Sequence, residues 1–284
     1  MFDIQGHRGA RGLFPENTLE GFQAAAALGV RCFELDVGVT RDGVPVVHHD
    51  PALNPDTTRG PDGAWLAGTG PLLRDMPYAD LARYDVGRLQ PGTPYAALYG
   101  SQSPQDGARI PALETVLRLC AGVRFNIELK LLPAEPCLTA APEDMVERVL
   151  RAADDAGAAD RVTIQSFDWR APRHARRLRP RMPCGWLTMA ESVRDAPLWR
   201  GIPEASCRIG DIPDAVAAEG GGTWTPHHSS LTPDLLARAH LLGLLVIPWT
   251  VNDPEAMRRF MGWGADGLIS DWPDRVLAIR PSGR

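Results

Sequence analysis

Two carboxylates spaced two residues apart on a predicted strand are the first groups in this sequence suited to metal binding. Glu34 and Asp36 alternate with apolar residues in the run 32–37. Because successive side chains of a strand point to opposite faces, both carboxylates share one face. Burying two negative charges is costly unless a cation neutralises them, and a divalent ion with oxygen ligands does so. The alternative is a structural ion pair with arginines of the same sheet.

A second predicted strand repeats this spacing. Glu128 and Lys130 lie two residues apart in the run 125–130, so a third carboxylate and a lysine also share a face. Lys130 is the only lysine among the 30 basic residues, which suggests a site where a guanidinium would not serve. A compact ammonium beside a metal suits a phosphoryl oxygen. The alternative is a local Glu–Lys salt bridge, which contributes little stability if exposed.

Histidines follow two strand-like runs. His7 and Arg8 come directly after the first predicted strand, and His48 and His49 follow a later one. Cleavage of a phosphodiester needs a base for the nucleophile and an acid for the leaving alkoxide, and two histidines near neutrality supply both. Of the tandem pair, we expect one to point into the site and the other away. Arg8 is suited to bidentate contact with a phosphate.

Strands whose ends meet at one rim must position these groups. Short β-branched or aromatic runs alternate with helical patterns, which is typical of repeated βα units. We predict strands at 3–6, 31–37, 44–48, 124–130, 161–166, 182–187, 222–226, 244–250 and 266–270, and helices at 18–29, 113–121, 143–157, 169–178, 191–199, 213–219, 233–243 and 254–262. If 44–48 extends the second βα unit, eight strands remain. The prediction is an α/β protein with a (β/α)8 barrel.

Several rim positions carry no clear assignment. Trp249 ends the seventh predicted strand and is expected to shape a substrate pocket, although a role in the core is an alternative. His227 and His228 follow the sixth strand without a matching partner, so we expect rim residues there and not metal ligands.

The stretch 51–110 breaks the βα rhythm. It is rich in Gly, Pro and Asp and shows a single helical pattern, near 78–84. A structureless loop of that length is uncommon inside a compact domain. We therefore predict an insertion subdomain between strand 2 and helix 2 that caps the C-terminal face of the barrel. Residues 1–284 would then form a single domain.

Charge and hydropathy limit the partners. The formal net charge of −5 argues against nucleic acid, whose phosphates select basic surfaces. The N-terminal residues lack the regions of a secretory signal, and apolar runs such as 241–249 are too short to span a bilayer. We expect a cytoplasmic protein without membrane insertion that acts on a small molecule. The oligomeric state is left open.

These residues closely resemble the glycerophosphodiester phosphodiesterase family. The matches occur in family order over nearly the whole chain. They comprise His7-Arg8-Gly9, Pro15-Glu16-Asn17-Thr18, Glu34-Leu35-Asp36-Val37, Thr40, Asp42-Gly43, His49-Asp50-Pro51, Thr57-Thr58, Gly60, Ile110-Pro111, Leu113-Glu114, Glu128-Leu129-Lys130, Trp249-Thr250-Val251-Asn252, Asp266-Gly267 and Asp271.

The resemblance implies a TIM barrel with a small insertion after strand 2 and one metal site at its mouth. By the family pattern, one Mg²⁺ or Ca²⁺ would be held by Glu34, Asp36 and Glu128. His7 and His49 would be the acid/base pair. The same pattern assigns the contacts with the phosphate to Arg8 and Lys130.

The resemblance also implies the reaction. A substrate hydroxyl would attack phosphorus and expel an alcohol, and water would open the resulting cyclic phosphate to glycerol 3-phosphate. Two alternatives stay open. One is a phospholipase D-like enzyme acting on lysophospholipids or sphingomyelin, against which the long insertion and Glu128 argue. The other is a non-catalytic phosphodiester-binding protein, against which the full set of catalytic-type groups argues. The preferred head-group alcohol and the metal stay undetermined.

Overall fold

Parallel strands form a barrel in the computed structural model, which describes residues 2–202 and 208–279. The strands are β1 Asp3–His7, β2 Cys32–Val39, β3 Pro45–Val47, β4 Arg124–Leu129, β5 Val162–Ser166, β6 Cys184–Thr188, β7 Thr223–Pro226, β8 Leu245–Val246 and β9 Gly267–Ser270. Their order is β8-β7-β6-β5-β4-β2-β1-β9. Beyond this ladder, the Asp266 amide donates to the Val246 carbonyl at 3.0 Å and the Ile269 amide to the Pro248 carbonyl at 3.1 Å. The barrel of eight parallel strands is thus nearly closed, and the predicted fold class is confirmed.

Helices surround the barrel. They are α1 Leu19–Ala27, α2 Tyr78–Leu81, α3 Pro94–Leu98, α4 Leu113–Leu119, α5 Pro142–Asp155, α6 Arg170–Leu178, α7 Ala190–Arg194, α8 Ala196–Arg200, α9 Ile212–Ala218, α10 Pro233–Leu241, α11 Pro254–Trp263 and α12 Pro273–Ile279. Short 3₁₀ turns lie at Leu73–Asp75, Ala159–Arg161, Ile209–Asp211 and His228–Ser230. Several helices begin with a capping side chain, as where Thr18 accepts a hydrogen bond from the Gly21 amide at 3.0 Å.

Two predicted elements differ from the structure because of proline. The strand predicted at 244–250 shortens to β8, since Pro248 has no amide hydrogen to donate to a neighbouring strand. The helix predicted at 191–199 divides into α7 and α8 around Asp195, with Pro197 in the first turn of α8. A proline ring excludes the continuous helix but suits a first turn.

Strand β3 lies outside the barrel. This agrees with the interpretation of the run 44–48 as an extension of the second βα unit, which leaves eight strands for the barrel. It pairs antiparallel with the end of β2, with Val37 opposite Val47. Val46 of β3 and residues that follow the strand form a separate apolar cluster; the residues that follow are Leu53, Leu73, Leu81, Val86 and Ile110. The insertion therefore has its own small core beside the end of β2. It also contains α3, a helix that the sequence pattern did not predict.

Strand register brings the polar side chains of neighbouring strands to the same height. His7 of β1 is paired with Glu34 of β2, and Asp36 of β2 with Glu128 of β4. Gln165 of β5 is paired in turn with Glu128. Since these residues lie near the carboxyl ends of their strands, they converge at the barrel mouth, where active sites of this fold are found.

Within residues 2–202 and 208–279, no helix combines the length and the apolar character needed to cross a membrane.

Candidate active site at the barrel mouth

Three buried carboxylates meet at the mouth. Glu34, Asp36 and Glu128 each offer an oxygen, and these oxygens lie within 4.8 Å of one another. The side chains are almost fully buried, and Oδ1 of Asp36 has no hydrogen-bond partner among the described residues. An oxygen-only donor set of this kind is what hard divalent cations such as Mg²⁺ and Ca²⁺ prefer.

The three acids differ in the direction in which their surroundings shift the pKa. Burial raises the pKa of Glu34 well above its ordinary value, and the charges of Asp36 and Glu128 raise it further. Burial likewise raises the pKa of Glu128, despite the favourable contact with Lys130. Burial opposes the ionisation of Asp36 too, but Arg8 and its cationic neighbours outweigh it and lower the pKa of Asp36. Protons and a divalent ion would therefore compete for Glu34 and Glu128.

Neutral side chains orient the acids. Asn17 donates to Oδ2 of Asp36 at 3.0 Å. Gln165 donates to Oε1 of Glu34 at 3.2 Å and accepts a hydrogen bond from Asn126 at 3.0 Å. The sequence pattern alone did not predict these supporting contacts. The position of Gln165 in the fourth barrel strand, with side-chain alternation that faces it inward, is the signal that could have identified it.

Lys130 lies between two of the acids. Its Nζ donates to Oε1 of Glu128 at 2.7 Å and lies 3.6 Å from Oδ1 of Asp36. Burial opposes its charge, but these two carboxylates outweigh burial and raise the pKa of Lys130. The Glu–Lys bridge considered as an alternative is thus present, although it lies inside the acidic cluster and not on an exposed face.

Arg8 is held by acidic partners in this structure. Its Nη1 donates to Oε1 of Glu16 at 2.7 Å, and its Nε lies 3.1 Å from Oδ2 of Asp36. Its backbone amide also donates to Glu34 at 3.3 Å. The backbone of Arg8 has a φ of +52°, in the left-handed region. Phosphate binding by Arg8 stays a prediction.

His7 is backed by a carboxylate from the far end of the chain. Its Nδ1 lies 2.6 Å from Oδ1 of Asp271, and its Nε2 lies 3.8 Å from Glu34. Asp271 also accepts hydrogen bonds from Arg11 at 2.9 Å and from Asn252 at 2.7 Å. Burial lowers the pKa of His7, and the charge of Asp271 opposes that shift.

His49 has the same arrangement with its sequence neighbour. Its Nδ1 lies 2.6 Å from Oδ1 of Asp50, whose other oxygen accepts a hydrogen bond from Asn54 at 2.9 Å. Burial, with Lys130 contributing, lowers the pKa of His49 to about 4. His49 lines the mouth cavity, whereas His48 is buried and lines a smaller neighbouring cavity.

The mouth cavity brings the predicted residues together. It has a volume of about 330 Å³, and all of the predicted site residues except Asp36 line it. Trp249 stands beside Phe167, with ring centroids 5.4 Å apart, and its Nε1 donates to the Thr225 carbonyl at 3.1 Å. Trp249 therefore lies where a pocket-forming residue was expected, and its contact with substrate stays a prediction.

A larger cleft of about 690 Å³ lies beside the mouth, but its lining does not match this chemistry. Two of its three acids pair with arginines: Asp144 with Arg148 at 2.8 Å and Asp168 with Arg170 at 2.5 Å. No histidine lines this cleft among the described residues. The mouth cavity is therefore the better candidate site.

Comparison with known proteins identifies a family and several relatives of this chain. A family model described as the glycerophosphoryl diester phosphodiesterase family matches residues 7–275. The "Uncharacterized protein YqiK" of Bacillus subtilis is 31% identical over 283 residues, 98% of each chain. A glycerophosphodiester phosphodiesterase of Caldanaerobacter subterraneus is 26% identical over 98% of this chain and 97% of its own. A crystal structure from Silicibacter pomeroyi, named "Putative glycerophosphoryl diester phosphodiesterase", is 38% identical, with a TM-score of 0.88 over 98% of this chain and 93% of that one.

The fold, the residues at the barrel mouth and these matches together define the class of protein, which is a barrel enzyme that hydrolyses phosphoric diesters. The chain belongs to the glycerophosphoryl diester phosphodiesterase family. The non-catalytic alternative is therefore set aside.

Proposed function

We propose that this protein hydrolyses glycerophosphodiesters to glycerol 3-phosphate and an alcohol, and that it needs one divalent cation, Mg²⁺ or Ca²⁺, to do so. One observation carries the proposal. The acidic cluster, the single lysine of the chain and two carboxylate-backed histidines meet at one cavity of about 330 Å³. The Caldanaerobacter relative carries the name of this activity.

The cation would be held by Glu34, Asp36 and Glu128. Their mutual proximity and the hydrogen-bond-free Oδ1 of Asp36 fit such an ion. Once bound, it would offset the negative charge that builds on the phosphoryl oxygens during the reaction. Lys130 and Arg8 are suited to bind the phosphate from the same side, because their charges lie next to the cluster.

His7 and His49 are the proposed acid/base pair. One takes the proton of the attacking hydroxyl, and the other gives a proton to the departing alkoxide. Asp271 and Asp50 engage the Nδ1 atoms, which leaves each Nε2 to exchange a proton with substrate. The carboxylates also stabilise an imidazolium when it forms, as in other carboxylate–histidine pairs.

The proposed nucleophile is the substrate's own glycerol hydroxyl next to the phosphate. Its oxygen bonds to phosphorus, the bond to the leaving alcohol breaks, and a cyclic phosphate forms. Water then opens the ring, with the histidine roles exchanged, to give glycerol 3-phosphate. The protein's contribution is to hold the attacking hydroxyl and the leaving oxygen on opposite sides of phosphorus, each within reach of one histidine.

The insertion 51–110 is proposed to cap this face within a single barrel domain. Two tyrosines support this: Tyr95 of α3 donates to Glu16, the partner of Arg8, and Tyr99, the C-cap residue of α3, donates to Asp271 at 3.2 Å. Cytoplasmic location also stays a prediction.

A substrate panel tests the proposal. Purified protein, freed of metal and then given Mg²⁺, Ca²⁺ or Mn²⁺, is assayed with glycerophosphodiesters and with lysophosphatidylcholine. We expect glycerol 3-phosphate from the water-soluble diesters, with release by His7→Ala slower by at least about 10²-fold. Clear preference for the lysolipid would instead favour the phospholipase D-like alternative.

A further inference from the structure

The mouth cavity has an apolar side that the proposed chemistry does not use. It is formed by residues that follow β4 and by the arc of the barrel from β5 to β8. The apolar residues that line it are Leu131, Leu132, Phe167, Leu187, Met189, Trp199 and Trp249. Because this side adjoins the histidines and acids, a group attached to the reacting phosphate would reach it.

Three aromatic rings form the central part of this side, here called the aromatic wall: Phe167, Trp199 and Trp249. The centroid of Phe167 lies 6.0 Å from that of Trp199 and 5.4 Å from that of Trp249, with interplanar angles of 70° and 75°. The edge-on arrangement fixes the rings against one another. Trp249 also packs edge-on against His227, with ring centroids 5.1 Å apart, and satisfies its indole N–H on the Thr225 carbonyl. The part of its ring that lines the cavity is available for apolar or cation–π contact.

The aromatic wall carries no charge. The titratable residues that line the cavity, within the described chain, all come from the β1, β2, β3 and β4 side: His7, Arg8, Arg11, Glu34, His49, Glu128 and Lys130. Gln165, the nearest amide, already donates to Glu34 and accepts from Asn126. A substituent placed on the aromatic wall therefore finds neither a carboxylate nor a free amide there.

This chemistry discriminates among leaving alcohols. The N–H groups of a primary ammonium, or the hydroxyls of a polyol, would lose hydrogen bonds to water, and Thr250 is the one neutral polar residue of this lining besides Gln165. A quaternary ammonium has no N–H to satisfy, and aromatic rings attract its charge. The volume of about 330 Å³ lies near the lower end of small-molecule sites, roughly 300–1,000 Å³, so a long acyl chain would have to extend out of the cavity.

We infer that the aromatic wall binds the trimethylammonium end of a choline-type leaving alcohol, which makes glycerophosphocholine the preferred class of substrate. This inference rests on the proposed function, since it names the alcohol that the same site releases. The aromatic wall determines specificity and takes no part in proton transfer.

The test compares kcat/KM for three substrates: glycerophosphocholine, glycerophosphoethanolamine and a neutral isostere of the first in which a tert-butyl group replaces the trimethylammonium. We expect the choline ester to be preferred over both by at least about threefold, the lower range of one cation–π contact. Trp249→Leu should bring the choline ester and its neutral isostere to within about twofold, whereas Trp249→Phe should keep the preference. Trp263→Leu, which alters a ring packed on Phe260 of α11, is the matched control.

The possible outcomes distinguish a failure of this inference from a failure of the proposed function. Equal turnover of the choline ester and the neutral isostere by the wild-type protein would overturn the inference, because the rings would then act only as an apolar surface. Preference for the ethanolamine ester would overturn it as well. Failure to release glycerol 3-phosphate from any of the three would contradict the proposed function itself.

Discussion

Asp271 and His7 lie 264 residues apart in sequence, yet Oδ1 of the carboxylate is 2.6 Å from Nδ1 of the imidazole. The contact forms because β9 pairs with β1 and brings the last strand of the barrel beside the first. His7, His49 and their two carboxylates thus occupy one rim. Asp271 is further held by Arg11 and Asn252, so that the ring of His7 has a fixed orientation.

Replacing Asp271 by Asn should lower kcat/KM by about 10²-fold or more, because His7 loses both its orientation and a charge that stabilises its protonated form. The charge of Asp271 raises the pKa of His7 against burial, so its loss should lower that pKa further. The limb of the pH profile that reports the titration of His7 should then move to lower pH. The exposed Asp214→Asn, on α9, is the control, and an unchanged profile in Asp271→Asn would argue against this coupling.

Removing either histidine should nearly abolish turnover while leaving the fold intact. We expect His7→Ala and His49→Ala each to lose about 10²- to 10⁴-fold in kcat, the range of general acid–base catalysis. Circular dichroism should stay unchanged. His240→Ala is the matched control, since His240 is exposed and pairs with Asp266 at the opposite end of the barrel. Near-normal turnover in either mouth variant would exclude that histidine from proton transfer.

The acidic cluster should make the metal-free protein less stable as pH rises. The pKa values of Glu34 and Glu128 are raised in the folded state, so this state binds more protons than the unfolded chain above pH 4.5, their ordinary value. Stability therefore falls as pH rises through the folded pKa values, by at most about 1.4 kcal/mol per pH unit per proton.

Thermal unfolding in a chelator measures this effect. Glu34→Gln should have a higher Tm than the wild type at pH 8 without metal, and the wild type should gain more stability from added Mg²⁺ or Ca²⁺ than the variant does. Glu255→Gln, at an exposed position of α11, should behave as the wild type. A wild-type Tm that does not respond to divalent ions at any pH would contradict the assignment of the cluster.

Lys130 should not be replaceable by arginine. Its Nζ fits between Glu128 and Asp36 as a compact charge, whereas a planar guanidinium needs more space and a different hydrogen-bond geometry. We expect Lys130→Arg and Lys130→Met both to lose at least about tenfold in kcat/KM. Full activity in Lys130→Arg would show that only the charge matters.

Alternation along single strands was enough to predict the acidic cluster and Lys130, because a strand's inward face is a local property. The βα rhythm likewise predicted the barrel. Local pattern did not reveal contacts that depend on closure, such as Asp271 with His7, or the support of Glu34 by Gln165. It also overestimated the length of β8, where Pro248 limits hydrogen bonding to the neighbouring strand. It missed α3, whose five residues are too few to show a helical periodicity.

The most direct measurement follows hydrolysis of glycerophosphocholine by ³¹P NMR, with metal-depleted protein before and after addition of Mg²⁺ or Ca²⁺. We expect no turnover before addition. Afterwards we expect the signal of glycerol 3-phosphate, with a cyclic phosphate as a transient, and neither signal in Glu34→Gln. Turnover that persists in excess chelator, or release of phosphocholine in place of glycerol 3-phosphate, would contradict metal-dependent cleavage at the alcohol side of the diester.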